Sequence, residues 1–180
     1  MDIVDRLARL RELDKDFTVF GADEHEYRSS PMSEAEVEEF ERWMTVPFPP
    51  AFRNFLLTVG TGAGPEYGIQ LTRDEAGTPE PGGQFPFTLA DGKRMRAEQR
   101  EWQRRSPPSF PFHLTIGSVP GCIAIAELGC GGFAALVTTG ELAGRMWESG
   151  EGLWGPVSGA QRFDDWYDAW LTDALSKLDR

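Results

Sequence analysis

The two histidines and two cysteines, His25, His113, Cys122 and Cys130, are the candidate ligands for a zinc ion. Their spacing matches no HExxH and no paired Cys/His pattern, and a zinc site needs three or four convergent ligands. No metal and no cofactor is expected. Cys130 lies between Gly129 and Gly131, where a nucleophile at a turn could sit, and His113 could serve as its base. That is a hydrolase reading, and it competes with the commoner fate of a cysteine as a small buried side chain. Gly60-Thr61-Gly62-Ala63-Gly64-Pro65 has the look of a phosphate loop. Phosphate loops lie between a strand and a following helix, so that the helix N-terminus faces the anion. Here the glycines follow a helix, and Glu66 would repel phosphate; unusual backbone angles explain them better. Glu38-Glu39 and Asp164-Asp165 are adjacent on helices, point in different directions, and read as solvated surface rather than as an acid–base pair. Lys93, Arg94, Arg96, Arg100, Arg104 and Arg105 flank Trp102 and could follow a nucleic-acid strand. Glu98 and Glu101 interrupt them, which favours a surface helix with internal ion pairs.

The elements that would position these groups are legible in part. Ile3, Leu7 and Leu10, with Val4 and Leu13, form an apolar stripe for a helix over 2–14. Phe17 to Phe20 is β-prone, and a polar loop runs from Asp23 to Ser30. Ser33 and Glu36 form a capping box at the head of a second helix, with Val37, Phe40 and Met44 on one face and Trp43 beside them. Pro47, Pro49 and Pro50 make a rigid corner, and Pro50 opens a third helix bearing Phe52, Phe55, Leu56 and Val59. Tyr67 to Leu71 is a short strand, and 92–105 a helix. His113–Gly117, Cys122–Ala126, Phe133–Thr138, Arg145–Glu148 and Leu153–Val157 are strands, spaced closely enough for an antiparallel meander. Phe163, Trp166, Tyr167, Trp170, Leu171, Ala174 and Leu178 repeat at helical spacing to close the chain. Trp43, Trp147, Trp166 and Trp170 are expected in the core, with Trp102 or Trp154 as a possible interface anchor.

The 180 residues suit one α+β domain, a mainly antiparallel sheet packed with N-terminal helices and a closing C-terminal helix, in which 74–111 is a variable insert. Six Trp, twelve Phe and three Tyr supply a core without disulfides. No run approaches the ~20 apolar residues of a membrane span. The N-terminus lacks the pattern of a secretory signal, so a cytoplasmic location is expected, with both cysteines buried and reduced. The net charge is −11. It is carried by residues 1–60 (−6) and 121–180 (−5), while 61–120 balance. Nucleic acid and anionic membrane are poor partners for such a molecule, and a basic protein is a good one.

Three blocks carry a family resemblance. Met32-Ser33-Glu34-Ala35-Glu36-Val37-Glu38-Glu39-Phe40-Glu41 leads through Val46-Pro47-Phe48-Pro49-Pro50 and Phe52-Arg53-Asn54-Phe55-Leu56 to Val59-Gly60-Thr61-Gly62-Ala63-Gly64. Gly129-Cys130-Gly131 precedes Leu136-Val137-Thr138-Thr139-Gly140 and Arg145-Met146-Trp147-Glu148. Phe163 to Leu171 closes the set. Together they resemble the SMI1/KNR4 (SUKH) domain. The resemblance implies an α+β fold, no shared catalytic residues, and no small-molecule substrate. It further implies a protein partner, which for many bacterial members is a toxin domain that the immunity protein occludes; a regulatory or scaffolding role is the alternative. The acidic surface suits a basic toxin such as a nuclease. The expected partner-binding residues are Asp23, Glu24 and Glu26 in the loop, and Glu34, Glu38, Glu39 and Glu41 on the helix that follows.

Overall fold

The computed structural model describes residues 2–71, 80–105, 119–150, 153–156 and 161–178. Helix α1 (Ile3–Leu13) starts at Asp2, whose carboxylate accepts from the Asp5 N–H at 2.8 Å. A short helix α2 (Ala22–His25) and a two-residue strand β1 (Ser29–Ser30) occupy the stretch expected as loop. Helix α3 (Glu34–Met44) carries the expected capping box, with the Ser33 N–H donating to Glu36 at 2.7 Å. Helix α4 (Pro50–Thr58) begins at Pro50 and leads to β2 (Thr61–Gly62), which pairs with β1. Helix α5 (Leu89–Arg105) is followed by β3 (Cys122–Gly129), β4 (Gly132–Val137), β5 (Met146–Gly150) and β6 (Leu153–Pro156). Those four strands form the antiparallel meander read from the sequence, in the order β3-β4-β5-β6. Helix α6 (Phe163–Leu178) closes the fold.

Three further expectations for local structure need correction. Phe17 to Phe20 is not a strand. The Asp14 carboxylate instead accepts from the N–H and hydroxyl of Thr18 (2.7 and 2.8 Å), from the Val19 N–H (3.1 Å) and from the Tyr27 hydroxyl (2.5 Å). Backbone donors taken by a side chain are lost to a ladder. Tyr67 to Leu71 is reduced to bridges from Ile69 to Gly62 and Ala126, because Glu66 and Gly68, on either side of Tyr67, take positive φ. Helix α5 starts at Leu89 rather than at 92, since Thr88 and Asp91 cap it: the Thr88 N–H donates to Asp91 at 2.9 Å and the Asp91 N–H to the Thr88 hydroxyl at 3.2 Å. The strand expected at His113–Gly117 lies outside the described residues.

The sheet separates two apolar layers. Ile123, Ile125, Ala126, Ala134, Leu136 and Met146 face the main core with α1, α3, α4 and α6. Ile125 and Ala126 both turn inward because a bulge interrupts the β3–β4 register between Ala124 and Ala126. Cys122, Ala135, Val137 and Trp147 face the other way, under Phe85, Phe87, Leu89 and Met95. In the main core, edge-on rings run from Phe52 and Phe55 through Phe163 and Tyr167 to Trp170 and His25. That chain of contacts fixes the Pro corner, the closing helix and α2 against one another. Arg6 ties α1 to α6 by pairing with Asp168 and donating to the Thr172 hydroxyl at 2.8 Å.

Candidate functional site

The glycine loop after α4 is built for close backbone packing. Gly60 has φ +93°, and a Cβ there would stand 1.8 Å from the Ser30 carbonyl oxygen. Gly62 has φ +107°, and its Cβ would meet the Arg28 carbonyl oxygen at 2.4 Å. Only glycine satisfies both demands, which explains the motif without phosphate. The Ala63 carbonyl accepts from the Tyr167 hydroxyl at 2.8 Å, so the loop is tied to α6.

His25 lies beneath this loop. It is buried rather than part of an open acidic loop, with its ring edge on Gly68. Its Nδ1 accepts from the Tyr27 N–H at 3.0 Å, which leaves the proton on Nε2. Nε2 faces the backbone of Gly64 and Glu66 without a fully formed hydrogen bond. Burial holds the imidazole below its ordinary pKa, against the pull of those carbonyls and of the Asp23 charge. Cys122 is buried, and burial pushes its thiol up to about 12, which makes it inert. Cys130 departs from the expectation of two buried thiols: it is exposed. It occupies the two-residue turn between Gly129 and Gly132, with φ +51° at Cys130 and +74° at Gly131. These are the left-handed angles such a turn requires. The base proposed for it, His113, lies outside the described residues. No group of three or more metal-binding side chains forms among the described residues.

The acidic residues divide into two groups. Asp23 and Glu24 are exposed on α2, and half-buried Glu26 pairs with Arg28 at 2.7 Å. On α3, Glu38 and Glu39 are exposed. Glu34 is also exposed, but it pairs with Arg53 of α4. Glu41 turns inward: one oxygen accepts from the Phe48 N–H at 2.8 Å, and the carboxylate pairs with Arg53 at 3.3 Å. The Glu41 side chain therefore braces the Pro corner. On α5, Arg94, Arg104 and Arg105 pair within the helix with Asp91 and Glu101.

Sequence reasoning missed two features. One is two half-buried carboxylates, Glu66 in the glycine loop and Glu148 on β5, of which the Glu66 charge is felt at Glu148. Burial raises the Glu66 carboxyl above its usual value, against the charge of Lys177. Burial raises Glu148 as well, against the donated Trp166 indole N–H; the Glu66 charge adds to the rise and Arg96 opposes it. At neutral pH two such carboxylates attract cationic groups. The other feature is exposed aromatic surface. Phe20 is 60% exposed, and Trp43, expected in the core, is 43% exposed. Trp43 directly precedes Met44, so it lies about 100° round the helix from that buried side chain. No adjacent-residue signal marks Glu66 with Glu148, or Phe20 with its neighbours, since each set is assembled by the fold.

No curated protein matches the chain. Residues 31–169 match the sequence model of the SMI1 / KNR4 family (SUKH-1). That span takes in the capped α3, the Pro corner, the glycine loop, the meander and the first half of α6. Its mixed helix–strand architecture agrees with the α+β fold expected from the sequence. By a match over well more than half its length, the chain belongs to the SMI1/KNR4 family.

Proposed function

We propose that this protein is a non-catalytic binding domain of the immunity type, which binds a cognate bacterial toxin domain in the cytoplasm and silences it by covering its working surface. Family membership carries the reading. The charge of −11 selects a basic partner, such as a nuclease, because complementary fields accelerate encounter and reject wrong partners. Asp23, Glu24, Glu26, Glu34, Glu38, Glu39 and Glu41 are the proposed contact and steering residues. Among them Glu34 and Glu41 also hold α3 against α4.

The test is co-expression with candidate toxin domains, taken first from the genes that flank this one. Restored growth together with a one-to-one complex on co-purification supports the proposal. Growth arrest that persists at full expression of folded protein, with no complex formed, sinks it.

A further inference from the structure

The first aromatic residue left in solvent, Phe20, is not isolated. It meets Tyr67 edge-on with ring centroids 5.5 Å apart. Both rings lie over Gly129: a Cβ there would stand 3.4 Å from Tyr67 Cε2 and 3.5 Å from Phe20 Cζ. Three separate segments therefore build the spot, namely the lead-in to α2, the glycine loop and the β3–β4 hairpin. They are locked together at the backbone. Gly21 has φ +76°, and its Cβ would stand 2.2 Å from the Glu66 carbonyl oxygen. Such a patch is formed before any partner arrives, so ordering it costs binding little.

Acidic residues adjoin each segment. Asp23 and Glu24 follow Phe20, half-buried Glu66 precedes Tyr67, and exposed Glu127 lies two residues before Gly129. Arg28 pairs with Glu26 and Lys177 with Asp173, each at 2.7 Å, and the Lys177 charge also reaches Glu66. An apolar spot rimmed by polar groups has the anatomy of an interaction site. A guanidinium matches it best, because it stacks on aromatic faces and bonds carboxylates in a planar fork, which an ammonium does not.

We infer that Phe20 and Tyr67 on Gly129, with Asp23, Glu24, Glu66 and Glu127 around them, form a docking spot for an arginine-bearing loop of a basic protein. This rests on the protein-binding reading above and places the centre of the interface at α2 and the β3–β4 turn, not on α3.

The isotope-labelled full chain is titrated with the peptides acetyl-Gly-Arg-Arg-Gly-amide and acetyl-Gly-Lys-Lys-Gly-amide, and amide shifts are followed by NMR. Saturable, salt-sensitive shifts are expected at Phe20, Tyr67 and Gly129 to Gly131, with the arginine peptide binding at least about threefold tighter. Phe20→Ala should remove them while the rest of the spectrum is unchanged, and Glu38→Lys with Glu39→Lys should leave them in place. Shifts centred on α3, shifts spread evenly over all acids, equal response to lysine, or no response would each overturn the inference. A toxin complex unaffected by Phe20→Ala overturns this surface and leaves the immunity reading standing. Arginine docking without growth rescue by the folded protein does the reverse.

Discussion

His25 beneath the glycine loop and Glu66 within it pull stability in opposite directions with pH. The folded imidazole titrates below its ordinary 6.5, so the unfolded chain takes up its proton first. His25 therefore contributes full stability above about 6.5, and that contribution declines as pH falls from there toward the folded value. NMR titration of the His25 ring should give a midpoint below 6.5, and His25→Asn should lose part of the decline in urea-unfolding stability between neutral and mildly acidic pH. A midpoint at or above the ordinary value would contradict the burial argument. Glu66 is raised from its ordinary 4.5 by burial, so it is best tolerated when protonated, and its contribution falls as pH rises through the raised value. At neutral pH, Glu66→Gln should raise the melting temperature of the free protein and weaken its hold on a basic partner. A variant that loses stability, or binds as before, would remove Glu66 from the site. The types of these residues are visible in the sequence. Their burial is not, because it follows from close backbone approaches at Gly21, Gly60 and Gly62 that join segments distant in the chain.

At the level of elements, the α3–α4 corner shows why local signals succeed and where they stop. Ser33 with Glu36 and Pro50 at the head of α4 each act within one helical turn, so the residues alone place both helix starts. The same locality fails at Phe17 to Phe20, whose β propensity loses to the Asp14 carboxylate three residues upstream of Phe17. It also fails at Glu41, which reads as one more exposed acid but caps the Phe48 N–H across the proline corner. Phe48 is 3% exposed, so Glu41→Ala leaves a donor inside the protein unpaired. The expected cost is about 1–3 kcal/mol, measured by chemical unfolding. Glu38→Ala on the exposed side of the same helix should stay within about 0.5 kcal/mol. Equal effects for the two would refute the bracing role. The acidic candidates were thus legible as a set, whereas their division into exposed and bracing members required the fold.

Over the whole molecule, the charge of −11 acts on folding and on association with opposite sign. Self-repulsion disfavours the compact state, and added salt screens it. Raising ionic strength should therefore leave the free protein equally or more heat-stable by calorimetry, while slowing association with a basic partner in stopped-flow measurements. Faster association in salt would show that charge does not steer the encounter. The two unequal apolar layers on the sheet have a different consequence. Among the described residues, the larger layer joins α1, α3, α4 and α6 into one aromatic-rich mass, whereas the smaller rests on Trp147, Phe85 and Phe87, with α5 above it. Among the described residues, opening the layer on Trp147 leaves the packing around Phe163 and Tyr167 in place, which would make it a separate unit of cooperativity. Amide protons of α5 should exchange through partial opening at a lower free energy than those of β4, which open only with the whole protein. Such a division would let one side of the domain breathe while the side bearing Phe20, Tyr67 and the glycine loop keeps its shape.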